Sequence, residues 1–268
     1  MSDRHLLVTG ASRGIGAALV RRLGAHFPKM TLVGRDPDRH RSVLEDLTRQ
    51  GIEARLVECD LQSLDSVARA VSEVEGSLDV IVANAGVAGR RGVTDDGFEL
   101  HFGVNHLAHH LLVTGLADRI QDRVVVVSSN AHYDSDGLDL SAVRDRTESF
   151  TGLPEYRDSK LANVMFGREL ARRTGLTTHI VHPGVVATEI WRRIPWPIRP
   201  LVTRRMASPE DGADTPAWAA TEDGLVSGGY YARRTLWEPS PHAQDETASS
   251  ALWERSEEWV EPFREQTG

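Results

Sequence analysis

The stretch VTGASRGIGAAL, residues 8–19, follows the apolar run His5–Thr9 and opens a helix-length segment. Its glycines, Gly10, Gly14 and Gly16, are spaced T-G-x-x-x-G-x-G. A strand, a glycine turn and a helix in that order constrain the chain strongly. Backbone amides with no side chain in the way can approach a pyrophosphate, and the helix N-terminus adds positive potential. The bland alternative is an ordinary strand-to-helix turn.

The same rhythm continues to the end. Thr31–Gly34, Ala54–Glu58, Leu78–Ala83, Arg123–Ser128, Thr178–His182 and Gly229–Ala232 read as further strands. Gly14–His26, Asp38–Arg49, Ser63–Glu75, Asp96–Ile120, Tyr156–Arg173, Pro209–Ala220 and Asp245–Val260 read as helices. Apolar strands joined by helices predict a parallel sheet covered on both faces. The expectation is α/β: a single doubly wound Rossmann domain over 1–268, with a mainly parallel seven-stranded sheet. Residues 189–208, with Trp191, Ile194, Trp196 and three prolines, break the rhythm. They read as an excursion near the C-terminal edge of the sheet that covers a hydrophobic substrate, or as packing.

Composition excludes several classes. A net charge of −8 argues against nucleic acid or an anionic membrane as main partner. One cysteine, Cys59, allows no intrachain disulfide, so a reducing, cytoplasmic setting is expected. Its thiol reads as a small buried group. The first apolar run, Leu6–Val8, is too short for a signal peptide, and nothing later suggests a membrane span.

A Rossmann turn raises the question of which dinucleotide it holds. An acid about 20 residues on would bind the ribose 2′-OH of NAD. Gly34 lies near that place, followed by Arg35, and Arg13 lies in the turn. Two guanidiniums suit a 2′-phosphate. Asp36 remains an alternative acid if the strand ends later. NADP is therefore expected over NAD. Asp60 either accepts from the adenine amino group or stabilises the next helix N-terminus. Asn84, Ala85 and Gly86 permit close approach to the cofactor.

Of 31 lysines and arginines only Lys29 and Lys160 are lysine. Lys160 stands four residues after Tyr156, one helical turn away. With T-G-x-x-x-G-x-G at 9–16, N-A-G at 84–86, Asn105, Ser128–Ser129, Tyr156-x-x-x-Lys160 and Pro183-Gly184, the chain resembles the short-chain dehydrogenase/reductase family over essentially its whole length. VNHLAHHLL, RDSKLANVMF and LWERSEEW look like its retinol-dehydrogenase-like branch, which also resembles some bacterial ketoreductases.

The resemblance implies Asn105, Ser129, Tyr156 and Lys160 as catalytic residues. It extends the cofactor site to Ser12, Ile15, Leu61, Pro183, Gly184, Val186 and Thr188. A phenol near pKa 10 is a poor acid–base group at pH 7. A nearby ammonium and the positive nicotinamide are expected to lower it. Ser129, ending the fifth strand, would polarise a carbonyl. Ser128 would point away. Asn105 would bind helix backbone and support proton supply, or simply mark a kink. The loop between Ser129 and Tyr156 is expected to shape the substrate mouth.

His106, His109 and His110 have metal-like spacing but neither a partner glutamate nor a nearby thiolate, so no metal is expected. The reading is an NADPH-dependent carbonyl reductase, reversible to alcohol oxidation, acting on a small hydrophobic molecule. The rivals are an NADP-sensing regulatory protein without turnover and a nucleotide-sugar epimerase or dehydratase. The family often pairs through the helices flanking the fifth strand, so a homodimer or homotetramer is possible; a monomer is equally open.

Overall fold

The computed structural model describes residues 3–184 and 208–264. The chain alternates strand and helix from its start: β1 (His5–Thr9), α1 (Gly14–Leu23), β2 (Lys29–Gly34), α2 (Pro37–Arg49), β3 (Glu53–Glu58), α3 (Leu64–Glu73) and β4 (Leu78–Ala83). A composite helix follows, of α4 (Leu100–Phe102), a π-helical turn (Gly103–Leu107) and α5 (Ala108–Gly115), leading to β5 (Ile120–Val127). Next come α6 (Leu153–Thr174), β6 (Thr177–His182), α7 (Pro209–Gly212), α8 (Asp214–Thr221), β7 (Tyr230–Ala232), β8 (Thr235–Trp237), α9 (Pro241–Gln244) and α10 (Glu246–Arg264).

The strand order is β3-β2-β1-β4-β5-β6-β7-β8. This corrects the expected seven-stranded sheet to eight strands. β8 pairs antiparallel with β7, and all other pairs are parallel. β8 escapes a sequence reading because its three residues, Thr235–Trp237, are exposed and carry no buried apolar run.

Alternating side chains feed two cores, one on each face of the sheet. Leu7, Ile81, Val124, Val126 and Ile180 meet α3, α5, α6 and α10. Leu6, Val8, Val80, Val82, Val125 and Val127 meet α1, α2 and α8. This is the doubly wound arrangement, with order reversing between β1 and β4.

The expected helix over 96–120 is shorter and interrupted. It starts at Leu100 because the Glu99 carboxylate accepts the amides of His101 (2.7 Å) and Phe102 (2.9 Å). The π turn sits at Asn105. C-terminal α10 lies over α5 and α6. Trp253 stacks on Phe166, with centroids 5.9 Å apart, and meets His110 edge-on. Trp259 meets Phe98 and Phe102 edge-on. No described helix is long and apolar enough to cross a membrane.

Candidate active site

Ligands in open α/β sheets lie at the carboxyl ends of strands where the order reverses. Here that point lies between β1 and β4, and both strands end in small residues. Gly10 takes φ +71, and a Cβ on it would stand 2.9 Å from the Cα of Ala85. A Cβ on Gly16 would collide with the Gly10 carbonyl and stand 2.8 Å from Asn84 Nδ2. The glycines thus let α1 start directly against the sheet end. Arg13 holds the N-cap position of α1 without capping through its side chain, and the first turn contains no acid. Amides presented this way suit a phosphate. Ser12 and Ile15 are half-buried in the same turn.

Thr9 ties the glycine turn to β4. Its hydroxyl oxygen accepts the amides of Asn84 and Ala85, each at 2.9 Å. Asn84 Nδ2 donates back to the Thr9 carbonyl at 2.9 Å. The hydroxyl hydrogen is then left for His109 Nε2, 2.9 Å away, and His109 Nδ1 donates to the Asn105 carbonyl at 3.0 Å. His109 is therefore a neutral structural strut, and burial pulls its pKa down to about 4. No group that could hold a metal ion occurs among the described residues.

At the end of β2, Arg35 is exposed and its guanidinium lies 3.6 Å from Asp60. Asp60 also accepts the Gln62 amide at 3.0 Å, and Leu61 packs partly against the core. Asp36 caps α2, accepting from the Arg39 amide at 3.2 Å and pairing with the Arg39 guanidinium at 2.9 Å. That commitment weakens it as a ribose-binding acid. Gly34 backs onto the buried ring of His40, and a Cβ there would stand 2.5 Å from His40 Cε1.

The chemistry-bearing residues gather on β4, β5 and α6. Lys160 is buried, and its Nζ donates to the Val127 carbonyl at 3.1 Å. It stands 5.8 Å from the Tyr156 ring centroid, and a Cβ on Gly86 would be 3.6 Å from it. Burial pulls the Lys160 ammonium down to about 8. Burial pushes the Tyr156 phenol up, and a hydrogen bond with the Ser129 side chain offsets part of that rise. The expected lowering of this phenol is thus not a property of the protein alone. Desolvation of the phenolate outweighs what the protein's own groups supply.

Asn105 is fully buried. Its Oδ1 accepts the Val87 amide at 2.7 Å; its Nδ2 donates to the Val87 carbonyl at 3.0 Å and the Ser159 hydroxyl at 2.9 Å. Ser159 in turn donates to the Tyr156 carbonyl at 2.7 Å. The kink and the brace are therefore one feature. Ser128 points away from Ser129, its hydroxyl donating to the Lys160 carbonyl at 2.7 Å. Ser129 is half-buried at the head of a 3₁₀ turn, Asn130–Asp134, and accepts the Ala131 amide at 3.2 Å.

Pro183 and the left-handed Gly184, φ +86, follow β6. Val186, Thr188 and the excursion at 189–208, apart from Ser208, lie outside the described residues. Sequence reasoning gave Thr9 and His109 no bracing role, and missed Ser159 and His132, which touches the Ser129 carbonyl. Polar types at strand ends and on the helix carry that signal, but their partners are distant in sequence.

The family model for short chain dehydrogenases matches residues 4–138. Human "Dehydrogenase/reductase SDR family member 13" is 37% identical over 96% of this chain and 73% of its own length. The chain belongs to the short-chain dehydrogenase family. It is an oxidoreductase of the kind that acts on alcohol and carbonyl groups. Mouse retinol dehydrogenase 14 is 36% identical over 97% of this chain and 86% of that protein. A Streptomyces sp. (strain C5) protein, named provisionally as a daunorubicin C-13 ketoreductase, is 32% identical over 96% and 92%. Among solved short-chain dehydrogenase-like structures, a blue fluorescent protein from a metagenomic library, in complex with NADPH, superposes with TM-score 0.69. It is 28% identical, and the match covers 86% of this chain and 96% of that one.

Proposed function

We propose that this protein is an NADPH-dependent carbonyl reductase, reversible to alcohol oxidation, acting on a ketone or aldehyde of a small hydrophobic molecule. The observation that carries the reading is the buried Lys160 ammonium, 5.8 Å from the Tyr156 ring centroid on the same face of α6, with the Ser129 side chain near enough to lower the Tyr156 phenol. Nothing in a structural role calls for a buried lysine whose charge faces a tyrosine.

A nicotinamide dinucleotide fits the residues present. The glycine turn would hold the pyrophosphate at the α1 N-terminus, and a side chain on Gly10 or Gly16 would push the turn off the end of β4 that it packs against. Arg13 and Arg35 would take the 2′-phosphate, and Asp60, Leu61 and Asn84–Gly86 would line the adenosine side. Pro183, Gly184, Val186 and Thr188 would hold the carboxamide end. Arginines at both places, with Asp36 spent as a cap, support NADPH over NADH. A neighbour solved with NADPH and a relative named for ketone reduction support the same reading.

When bound, the cofactor supplies the hydride to the carbonyl carbon. The Ser129 hydroxyl donates to the carbonyl oxygen and steadies the charge growing on it. Tyr156 transfers its proton to that oxygen. Lys160 holds the ribose and steadies the phenolate left on Tyr156, and Asn105 fixes the helix turn through which protons return. Exposed Phe150, just before α6, and exposed Leu153, at its head one turn from Tyr156, are compatible with an apolar substrate. The excursion at 189–208 would cover it.

NADPH oxidation against a panel of apolar ketones and aldehydes, repeated with NADH, tests this. Turnover with NADPH is expected. Absence of turnover with every carbonyl would sink the reading, and a preference for NADH would sink only its 2′-phosphate part.

A further inference from the structure

We propose that His132 is a positioning residue for Ser129: a neutral, buried imidazole that ties the Ser129 carbonyl to the backbone of Ser240 and so fixes the hydroxyl facing Tyr156. This rests on the reading of Ser129 given above.

His132 has no exposed surface. Its Nδ1 lies 2.7 Å from the Ser129 carbonyl and its Nε2 lies 3.1 Å from the Ser240 amide nitrogen. A carbonyl only accepts and a backbone amide only donates. Nδ1 must therefore carry the hydrogen and Nε2 the lone pair. A single tautomer satisfies both bonds, and the imidazolium would turn an N–H against the Ser240 N–H. Burial acts in the same direction, lowering the His132 pKa.

The ring is clamped between aromatic neighbours. Tyr133 lies 4.1 Å away by centroids, and Tyr230 of β7 meets it at 4.7 Å nearly edge-on. Both ends of the strut matter for the site. One end is the carbonyl of Ser129, which heads the 3₁₀ turn and whose side chain is near enough to Tyr156 to lower its phenol. The other lies beyond the β7–β8 hairpin, where Ser240 caps α9. Tyr133 adds a second tie between the same segments, its hydroxyl donating to the Glu238 carbonyl at 2.5 Å. The hairpin that the sequence hides thus returns the chain over the turn that carries Ser129. Without the strut the Ser129 carbonyl would lose its only side-chain partner among the described residues, though Tyr133 and the Asn130 amide, bonded to His182 at 3.3 Å, still hold the turn. Ser129 would then lose its fixed approach to the carbonyl oxygen.

The test separates the two bonds. His132→Phe keeps the ring packing and loses both bonds; His132→Asn keeps a donor for the Ser129 carbonyl. Ser240→Pro removes the N–H and the hydroxyl and sets the proline Cδ against His132 Nε2, so it breaks that bond and displaces the imidazole; the φ of −57 is one that proline adopts. Ser240→Ala removes the hydroxyl alone. We expect His132→Phe and Ser240→Pro to lower kcat for a carbonyl substrate at least tenfold. NADPH binding should stay within twofold in both. Ser240→Ala should keep kcat within twofold, and His132→Asn should recover part of the loss. Imidazole ¹⁵N NMR of the wild type should report hydrogen on Nδ1 of His132 near neutral pH. Equal kcat losses in Ser240→Pro and Ser240→Ala, or no loss in Ser240→Pro, would overturn the proposal. So would hydrogen on Nε2. A wild type that turns over no carbonyl would overturn the reading of Ser129, and this role with it. The imidazole spectrum would still report whether the strut exists.

Discussion

Lys160 donates its ammonium to the carbonyl of Val127 across 3.1 Å, at a depth where burial pulls its pKa down to about 8. A compact, rotatable donor meets that carbonyl and keeps its charge beside Tyr156. A planar guanidinium is larger and does not deprotonate near neutral pH. Lys160→Arg should therefore lower kcat by about 100-fold or more, within the range ascribed to losing acid–base support. Lys29→Arg, at the head of β2, should leave kcat unchanged. Steady-state kinetics on the two variants checks this.

The depressed lysine also sets a pH limit. Lys160 is charged below its pKa of about 8 and neutral above it. In the proposed mechanism its charge would stabilise the Tyr156 phenolate, and that support would fade as pH rises through about 8. In the reductive direction kcat/KM should fall on the alkaline side of pH 8. The limb should disappear in Lys160→Ala, whose residual rate should be flat there. A pH–rate profile on both proteins reads the effect.

Asn105 makes three hydrogen bonds through its side chain, two of them to Val87 and one to Ser159. Asn105→Ala should strand the buried Val87 amide and lose stability by about 4–6 kcal/mol, at roughly 1 kcal/mol for each of three bonds plus the unpaired group. Urea denaturation measures it. Activity should fall more than stability explains, because Ser159 links Asn105 to the backbone of Tyr156.

These three residues were legible in the sequence because their types and spacing are unusual, and the strand rhythm was legible because parallel strands are apolar throughout. Much of what holds the site together was not. His109 reads as one of three helix histidines; only the fold brings Thr9 to it, 100 positions away in sequence. His132 reads as a loop histidine until the hairpin returns Ser240 to it. β8 carries no apolar run, and the π turn at Asn105 depends on packing that no local pattern records. The phenol's raised pKa comes from burial, a property of the folded assembly of elements.

Cofactor choice can be tried at Gly34. An aspartate there would put the missing ribose-binding acid near its usual place, yet its Cβ would stand 2.5 Å from the buried His40 ring. Gly34→Asp alone should weaken binding of both cofactors. With His40→Ala added, the space opens and NADH binding should improve relative to NADPH by at least tenfold. Fluorescence titration of each reduced cofactor checks the order.

α10 covers the outer faces of α5 and α6 with Trp253 and Trp259. That cover occupies the helix surface through which family members often pair, the surface on which a homodimer or homotetramer was left open beside a monomer. Light scattering should give the mass of one chain, 29.6 kDa. A mass of two or four chains would mean that pairing uses another face.

The central claim is direct hydride delivery to a carbonyl carbon with Tyr156 as proton donor. It is tested by single-turnover reduction of an apolar ketone with NADPH deuterated at the transferable C4 position, in the wild type and in Tyr156→Phe. The account predicts deuterium on the carbinol carbon of the wild-type product. In Tyr156→Phe it predicts a rate at least 100-fold lower with NADPH still bound. Deuterium lost to water, or a Tyr156→Phe rate equal to the wild type, would contradict it.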